Sequence, residues 1–360
     1  MMMSKKWMSG ILALTLAGVG LAGCGTTIDG PGGATSGGNS DGQQELVIST
    51  WGFSEDFLQA SVFEPFEKEH NVKIVLETGN NAERLNKIRQ GSTDVDVIYL
   101  SDYYAQQGID AGLFDTIDHS QIPNIDNIYD IAKAPNGEQY GPAYTVAQLG
   151  IAYNPDMVSG EVKSWSDLWK PEFSGNLTMP AITATAGPMM VDAASRTAGN
   201  ETFNEDAAFG QLKKLNESVV KYYSQTSEYV NMMGQGEIAG GPIMEMYFKD
   251  IQAAVPNAKF VSPSDGGYAV INTVNVVKNS NQKELAEEFI NWQLSKEVQE
   301  ASAKARVDSP VNTDVVLTDE EAQGLTYGAD VIKGLRQLDM KFVNENMPVW
   351  TDRWNREIGG

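Results

Sequence analysis

The chain has 360 residues, of which 41% are hydrophobic and 21% charged, and its formal net charge is −22 at pH 7. A negative balance of this size argues against nucleic acid and against a polybasic membrane-surface role. It favours a cationic or amine-bearing ligand, but acidic surfaces also keep exported proteins soluble, so the charge leaves both interpretations open.

The N-terminus has the pattern of an export signal. Lys5 and Lys6 precede an apolar stretch from about Ile11 to Val19, which is too short for a spanning helix. The stretch ends in Leu21-Ala22-Gly23-Cys24, and Cys24 is the only cysteine of the chain. These four residues resemble the lipobox of bacterial lipoproteins, which implies cleavage after residue 23 and a lipid on Cys24. An ordinary signal peptide that ends in an incidental cysteine is the alternative.

Residues 24–44 are rich in Gly, Ser, Thr and Asn, which predicts a flexible, lipid-anchored linker. About 315 residues follow, more than a single hydrophobic core usually supports, so two domains are expected. No second long apolar run occurs in the sequence. We therefore expect an extracytoplasmic body that is held at the cell membrane by lipid.

The first part of the body alternates between strand and helix patterns. Glu45–Trp51, Val72–Leu76 and Val95–Leu100 read as strands, with helices over Phe57–Phe66 and Asn81–Arg89 between them. Such alternation predicts βαβ units and a largely parallel sheet. Ligands of these sheets bind at the carboxyl ends of strands, which makes candidates of Trp51, Ser101, Asp102 and Tyr103.

A second α/β set follows Gly150–Asn154. Ser164–Trp169 reads as a capped helical turn, and Asn281 with Glu284 is predicted to form a capping box at the start of a late helix.

Several of these segments resemble one protein family. They are Trp51 after the first strand, Ser101-Asp102-Tyr103-Tyr104 after the third, Gly141-Pro142-Ala143-Tyr144, the segment SWSDLWKPEFSGNL at 164–177 and GQGEIA at 234–239. The chain resembles the extracytoplasmic solute-binding proteins of bacterial ABC importers. The similarity is closest to the spermidine/putrescine-binding group and its iron-, thiamine- and aminoethylphosphonate-binding relatives.

This resemblance implies an α/β, two-lobed periplasmic-binding-protein fold of type II, with a ligand cleft between lobes joined by crossing strands. One lobe would comprise 45–148 plus 273–314, and the other 149–272 plus 315–360. The expected partners are a small-molecule solute and the permease subunits of an ABC transporter. The resemblance implies a monomer with no cofactor and no enzymatic activity.

The residues that match the family's ligand contacts give a mixed answer about the solute. Trp51, Ser101 and Tyr103 match contacts to an amine-bearing chain, but the family's carboxylates are replaced by Pro180–Pro188, and Asn272 stands where the family has an acid. The expected function is thus the capture of an amine-bearing, polyamine-like solute. The alternative is a zwitterion or anion such as aminoethylphosphonate or thiamine phosphate.

The segment that replaces those acids has its own chemistry. Thr183–Gly187, followed by Pro188, reads as the start of a helix whose amides and hydroxyls form an anion site, unless Thr183 and Thr185 only cap the helix. Glu245 is either an amine partner across the cleft or a surface acid. The predicted ligand-binding set is Trp51, Ser101, Asp102, Tyr103, Tyr144, Thr183, Thr185, Ala186, Ser224, Glu245 and Asn272.

Enzymatic and metal-binding functions lack motifs. The sequence has no G-x-S-x-G elbow, H-E-x-x-H motif or P-loop, and its two histidines, His70 and His119, are far apart. We therefore predict no catalytic residue and no metal ligand. A lipid-anchored envelope enzyme that uses a carboxylate pair remains the rival class, followed by a structural lipoprotein.

Overall fold

The computed structural model describes residues 43–359, and its elements follow the alternation that the sequence predicts. The strands are β1 Gln44–Thr50, β2 Val72–Thr78, β3 Val97–Ser101, β4 Ala143–Tyr153, β5 Leu177–Pro180, β6 Val219–Tyr223, β7 Gly240–Met244, β8 Lys259–Val261 and β9 Tyr268–Val276. The predicted signal segment, Cys24 and nearly all of the predicted linker lie outside the described residues.

Thirteen α-helices lie between and after these strands within the described part of the chain. They are α1 Glu55–Leu58, α2 Glu64–His70, α3 Asn81–Arg89, α4 Asp102–Asp110, α5 Asp130–Lys133, α6 Gly187–Thr197, α7 Glu205–Asn216, α8 Thr226–Gly234, α9 Phe248–Ala254, α10 Lys283–Gln293, α11 Lys296–Lys304, α12 Ala329–Lys333 and α13 Met340–Glu357.

The strands of residues 43–359 form one nine-stranded mixed sheet. Its order is β2-β1-β3-β9-β4-β7-β5-β6, and β8 pairs with β4. The pairs of β1 with β2 and β3, and of β5 with β6 and β7, are parallel, as expected of βαβ units. The long strands β4 and β9 pair with each other in antiparallel fashion. They therefore connect the two parallel halves of the sheet.

Each half of the sheet has its own hydrophobic core. Leu46, Ile48 and Val97 of β1 and β3 pack with Phe289 of α10 in the first core. In the second core, β5 packs with α6, α7 and α13 through Leu177, Met190, Phe209 and Trp350. Strand β4 contributes its first residues, up to Val146, to the first core and its later residues, from Ala147, to the second, and β9 contributes to both cores. We call the two halves the first and second lobes; the lobe boundaries given above stay a prediction.

Local predictions are met to different degrees. Helix α3 has the predicted bounds, and Asn80 caps it by accepting a hydrogen bond from the Glu83 amide at 2.9 Å. The run over Phe57–Phe66 is not a single α-helix, because the π-helical segment Gln59–Phe63 separates α1 from α2. The predicted capping box at Asn281 is wrong: α10 begins at Lys283, and its N-cap, Gln282, makes no side-chain cap hydrogen bond.

No helix among the described residues combines the length and apolarity needed to cross a bilayer.

Candidate ligand-binding site

The carboxyl ends of the parallel strands open onto one cleft of about 590 Å³. Its walls come from the residues after β1, β2 and β3 on one side and after β5, β6 and β7 on the other. Eight of the predicted ligand-binding residues line it: Trp51, Ser101, Tyr103, Thr183, Thr185, Ala186, Ser224 and Asn272. The structure thus brings these eight together, and their contact with a ligand stays a prediction.

The cleft has no charged side chain in its wall. Its described lining contains no Asp, Glu, Lys, Arg or His. Hydroxyl, amide and aromatic side chains supply the polar and apolar surface of the cleft. The lining residues that the sequence did not predict include Phe53, Asn80, Asn81, Tyr104, Gln225, Thr226, Ser227 and Tyr247. In a chain of net charge −22, the acidic residues therefore lie elsewhere.

Four helices begin at this cleft. Residues at the N-terminal ends of α3, α4, α6 and α8 line it, and each of these helices has at least nine residues. A helix N-terminus carries about half a positive charge, so all four favour an anionic group in the cleft.

The four N-termini differ in the acids of their first turns. Glu83, Asp102 and Glu228 lie in the first turns of α3, α4 and α8, whereas the first turn of α6 has none. Glu228 already accepts hydrogen bonds from the amides of Ser224 at 2.8 Å and of Gln225 at 3.3 Å. Helix α6 therefore offers the least compensated positive end.

The start of α6 is built by a close backbone approach. Gly187 has no side chain because a Cβ atom there would lie 2.2 Å from the carbonyl oxygen of Ile182. The N-cap position is Ala186, which makes no side-chain cap hydrogen bond, and a proline lies in the first turn as predicted. Neither Thr183 nor Thr185 is thus the N-cap. Thr183 is exposed and Thr185 half-buried at the cleft wall.

Trp51 follows β1 and forms an aromatic wall of the cleft. The guanidinium carbon of Arg84 lies 4.8 Å from the centroid of the indole ring. Arg84 is 1% exposed and donates hydrogen bonds to the carbonyl oxygens of Ser49 at 3.1 Å, Tyr99 at 2.6 Å and Gly79 at 2.9 Å. Burial lowers the pKa of Arg84 to about 10. A fixed cation therefore supports the indole and contributes positive charge beside the cleft.

Ser101 has an unmet hydrogen-bonding capacity. It is 3% exposed, lines the cleft, and its hydroxyl oxygen is buried without a partner among the described residues. A buried hydroxyl without a partner costs about 1–3 kcal/mol, which a ligand group can recover. The neighbouring rings of Tyr103 and Tyr104 meet edge to face at 5.1 Å, and burial raises the pKa of both phenols, so they stay protonated donors.

Asp102 and Tyr144 do not reach the cleft. Asp102 is 2% exposed and its Oδ1 accepts a hydrogen bond from the Tyr103 amide at 2.8 Å, while burial raises its pKa to about 7. Tyr144 packs edge to face against Tyr99 in the first core. Both side chains are held inside the first lobe.

Glu245 also lies away from the cleft. It begins a 3₁₀ turn, Glu245–Tyr247, directly after β7, and lines a separate cavity of about 250 Å³. Its Oε2 accepts hydrogen bonds from Gln148 Nε2 at 2.9 Å and from Thr326 Oγ1. The turn, anchored by these two donors, directs the carboxyl group to the other cavity rather than to the predicted position across the cleft.

Comparison with known proteins gives consistent matches over most of the chain. The model of a family described as bacterial extracellular solute-binding protein matches residues 61–326. The spermidine/putrescine-binding periplasmic protein of Escherichia coli K12 is 27% identical over 305 residues, covering 82% of this chain and 81% of the relative. A putative 2-aminoethylphosphonate-binding periplasmic protein of Salmonella typhi is 26% identical over 286 residues, covering 75% and 79%.

A solved structure matches more strongly. The 1.85 Å crystal structure of an ABC transporter protein from Clostridium perfringens is 46% identical, with a TM-score of 0.81, and covers 87% of this chain and 99% of that one.

Proposed function

Because the chain belongs to the family of bacterial extracellular solute-binding proteins, we propose that it captures one small solute in the cleft and delivers it to the permease of an ABC importer. The aromatic and hydroxyl side chains at strand ends would hold the solute. The protein would release it unchanged, as a binding protein and not as an enzyme.

We propose further that the solute carries an anionic group. The observation behind it is the uncharged lining of the cleft together with the positive end of α6. A polyamine would bring two or more positive charges into a wall without a carboxylate, and unpaired buried charges are costly. An anion such as a carboxylate or phosphonate would instead meet the hydroxyls of Thr183 and Thr185 and the positive end of the helix dipole.

An amine on the same solute is compatible with the cleft. The aromatic faces of Trp51 and Tyr103 can attract an ammonium group by about 2 kcal/mol when it is desolvated. A zwitterion of the aminoalkylphosphonate type therefore fits both kinds of wall, and the aminoethylphosphonate-binding relative supports this choice. The spermidine/putrescine-binding relatives keep a polyamine as the second candidate.

A thermal-shift panel tests the ligand class. The full chain should gain melting temperature with 2-aminoethylphosphonate or thiamine phosphate by mass action, and little with putrescine or spermidine. Thr183→Val with Thr185→Val should remove the gain, whereas Thr202→Val, at an exposed threonine on the second lobe, should not. A gain with putrescine that the double variant leaves unchanged would favour the polyamine. Chemical conversion of any ligand during incubation would favour the enzyme class.

The lobes and the anchor complete the proposal. Lobes of 45–148 plus 273–314 and 149–272 plus 315–360 would close on the solute about β4 and β9. Lipid on Cys24 would hold the body at the membrane. Cys24→Ser should move the protein to the soluble fraction, and membrane association that survives the substitution would refute the anchor.

A further inference from the structure

A second cavity, of about 250 Å³, lies beside the crossing strands. It is lined by Thr145 and Ala147 of β4, by the residues after β7, by α9, and by the two segments Arg306–Ser309 and Gln323–Leu325. Met246 and Asn272 line both this cavity and the cleft. The two spaces are therefore neighbours, but their walls differ in charge.

Two carboxyl groups line the second cavity, and each has one oxygen without a hydrogen bond. Glu245 uses Oε2 for both of its hydrogen bonds, and Oε1 has none within residues 43–359. Asp308 is 8% exposed; its Oδ2 accepts a weak hydrogen bond from Ser302 Oγ at 3.4 Å, while its Oδ1 is buried without a partner in the described structure. Each carboxyl group thus has one oxygen that receives no hydrogen bond within residues 43–359.

The surroundings do not neutralise these acids. Lys249 and Arg306 also line the cavity, but both side chains are exposed, and the described residues contain no ion pair between either of them and Glu245 or Asp308. The guanidinium of Arg306 donates to the carbonyl oxygen of Glu320 instead. The phenols of Tyr99 and Tyr144 lie near Asp308 and are neutral, because burial and Asp308 itself raise their pKa values.

We propose that this cavity is a second binding site, independent of the cleft, for a small alkylammonium ion whose N–H groups donate to the free oxygens of Glu245 and Asp308. An ammonium group carries three donors and no acceptor, which matches carboxylates that each have one oxygen without a donor. The side chains of Phe248, Phe260 and Leu325 in the same wall would pack against the carbon chain. A metal ion fits less well, since no group of three or more His, Cys, Asp or Glu side chains comes together among the described residues.

The proposal has a pH signature. Burial raises the pKa of Asp308 to about 7 and also raises the pKa of Glu245. A cation binds the ionised carboxyls, so proton loss must accompany binding wherever these groups are still protonated. Affinity should therefore rise with pH until the raised pKa is passed, by about tenfold between pH 6 and pH 8.

Titration calorimetry of the full chain with n-butylammonium tests the site, with tetramethylammonium and potassium as cations that have no N–H group. We expect n-butylammonium to bind and the two controls not to bind. Asp308→Asn and Glu245→Gln should each lower its affinity at least about tenfold, because a carboxylate acceptor becomes a neutral amide. The exposed acids Asp352 and Glu237 provide matched controls, and Asp352→Asn and Glu237→Gln should leave the affinity unchanged.

Three results would overturn the proposal. They are an n-butylammonium affinity that both acid variants leave unchanged, equal binding of tetramethylammonium or potassium, and an affinity that does not change between pH 6 and pH 8. A fourth result would place the amine in the cleft: loss of n-butylammonium binding in Trp51→Ala but in neither acid variant. That result would also count against the anionic ligand class proposed for the cleft, so failure of the second site can be told apart from failure of the cleft.

Discussion

The cleft and the second cavity share Met246 and Asn272, yet of the two only the second cavity is lined by charged side chains. The cleft has no charged side chain in its described wall and receives four helix N-termini, while the cavity is lined by two carboxyl groups that each have one oxygen without a hydrogen bond. This difference teaches that the net charge of −22 does not predict what the cleft binds. The position of each acid relative to the strand ends decides it.

The largest expected effect comes from adding an acid to the cleft. Thr185→Asp places a negative charge at the uncompensated end of α6, where it would repel an anionic ligand in a desolvated site. We expect an anionic solute to lose at least about a hundredfold in affinity, equivalent to about 2.7 kcal/mol. Calorimetry measures this loss, and Thr202→Asp on the exposed surface is the control. Unchanged or tighter binding would mean that the cleft prefers cations.

Removing the aromatic wall should have the next largest effect. Trp51→Ala deletes the indole that packs on Arg84 and lines the cleft. We expect a ten- to hundredfold loss of affinity for the cleft ligand, about 1.4–2.7 kcal/mol, with a small change in melting temperature because the ring is only half-buried. Loss of stability with unchanged affinity would instead make Trp51 a structural residue.

The acid Asp308 of the second cavity should make the free energy of unfolding depend on pH, which the uncharged residues of the cleft do not. The pKa of Asp308 is raised to about 7 in the folded state, so the folded protein holds that proton more tightly than the unfolded chain. The free energy of unfolding should therefore fall as pH rises from about 4 to about 7, with a contribution from Asp308 of about 2 kcal/mol between pH 5 and pH 7.

Asp308→Asn should remove the contribution of Asp308 to the pH dependence of the free energy of unfolding. Urea unfolding at pH 5 and at pH 7 measures this change. The exposed Asp352→Asn should leave the slope as it is in the parent protein. If Asp308→Asn also leaves the slope unchanged, the Asp308 carboxyl is ionised in the native state throughout this range, and burial does not raise its pKa.

The smallest effect concerns the N-terminus of α8. Glu228 accepts hydrogen bonds from the amides of Ser224 and Gln225 and forms an ion pair with Lys221, which together lower its pKa to about 2. Glu228→Gln removes a negative charge from a helix end at the cleft, and should tighten binding of an anionic solute about two- to fivefold at low salt. Weaker binding would show that Glu228 acts mainly by ordering the loop.

Chain order predicts which residues lie at the cleft, because the strand-end rule depends only on which residues follow parallel strands. Trp51 and Ser101 were found in this way, and the match of the chain to its family confirms the two-lobed α/β fold. The same rule applied to β2 would have found Asn80, which follows that strand and lines the cleft.

The remaining features depend on tertiary contacts that chain order does not contain. Glu245 follows β7 as the rule requires, but Gln148 and Thr326 bind its carboxyl group on the other side of the crossing strands. Arg84 supports Trp51 from a helix 33 positions later, with no distinguishing pattern in its neighbours. Asp308 lies near Tyr99 and Tyr144, more than 160 positions earlier in the chain.

The most direct test is a crystal structure of the protein grown with 2-aminoethylphosphonate and putrescine together. We expect the phosphonate oxygens within hydrogen-bonding distance of the Thr183–Gly187 segment at the start of α6, with no putrescine in the cleft. Putrescine between Trp51 and Tyr103, or the phosphonate bound beside Glu245 and Asp308, would contradict it.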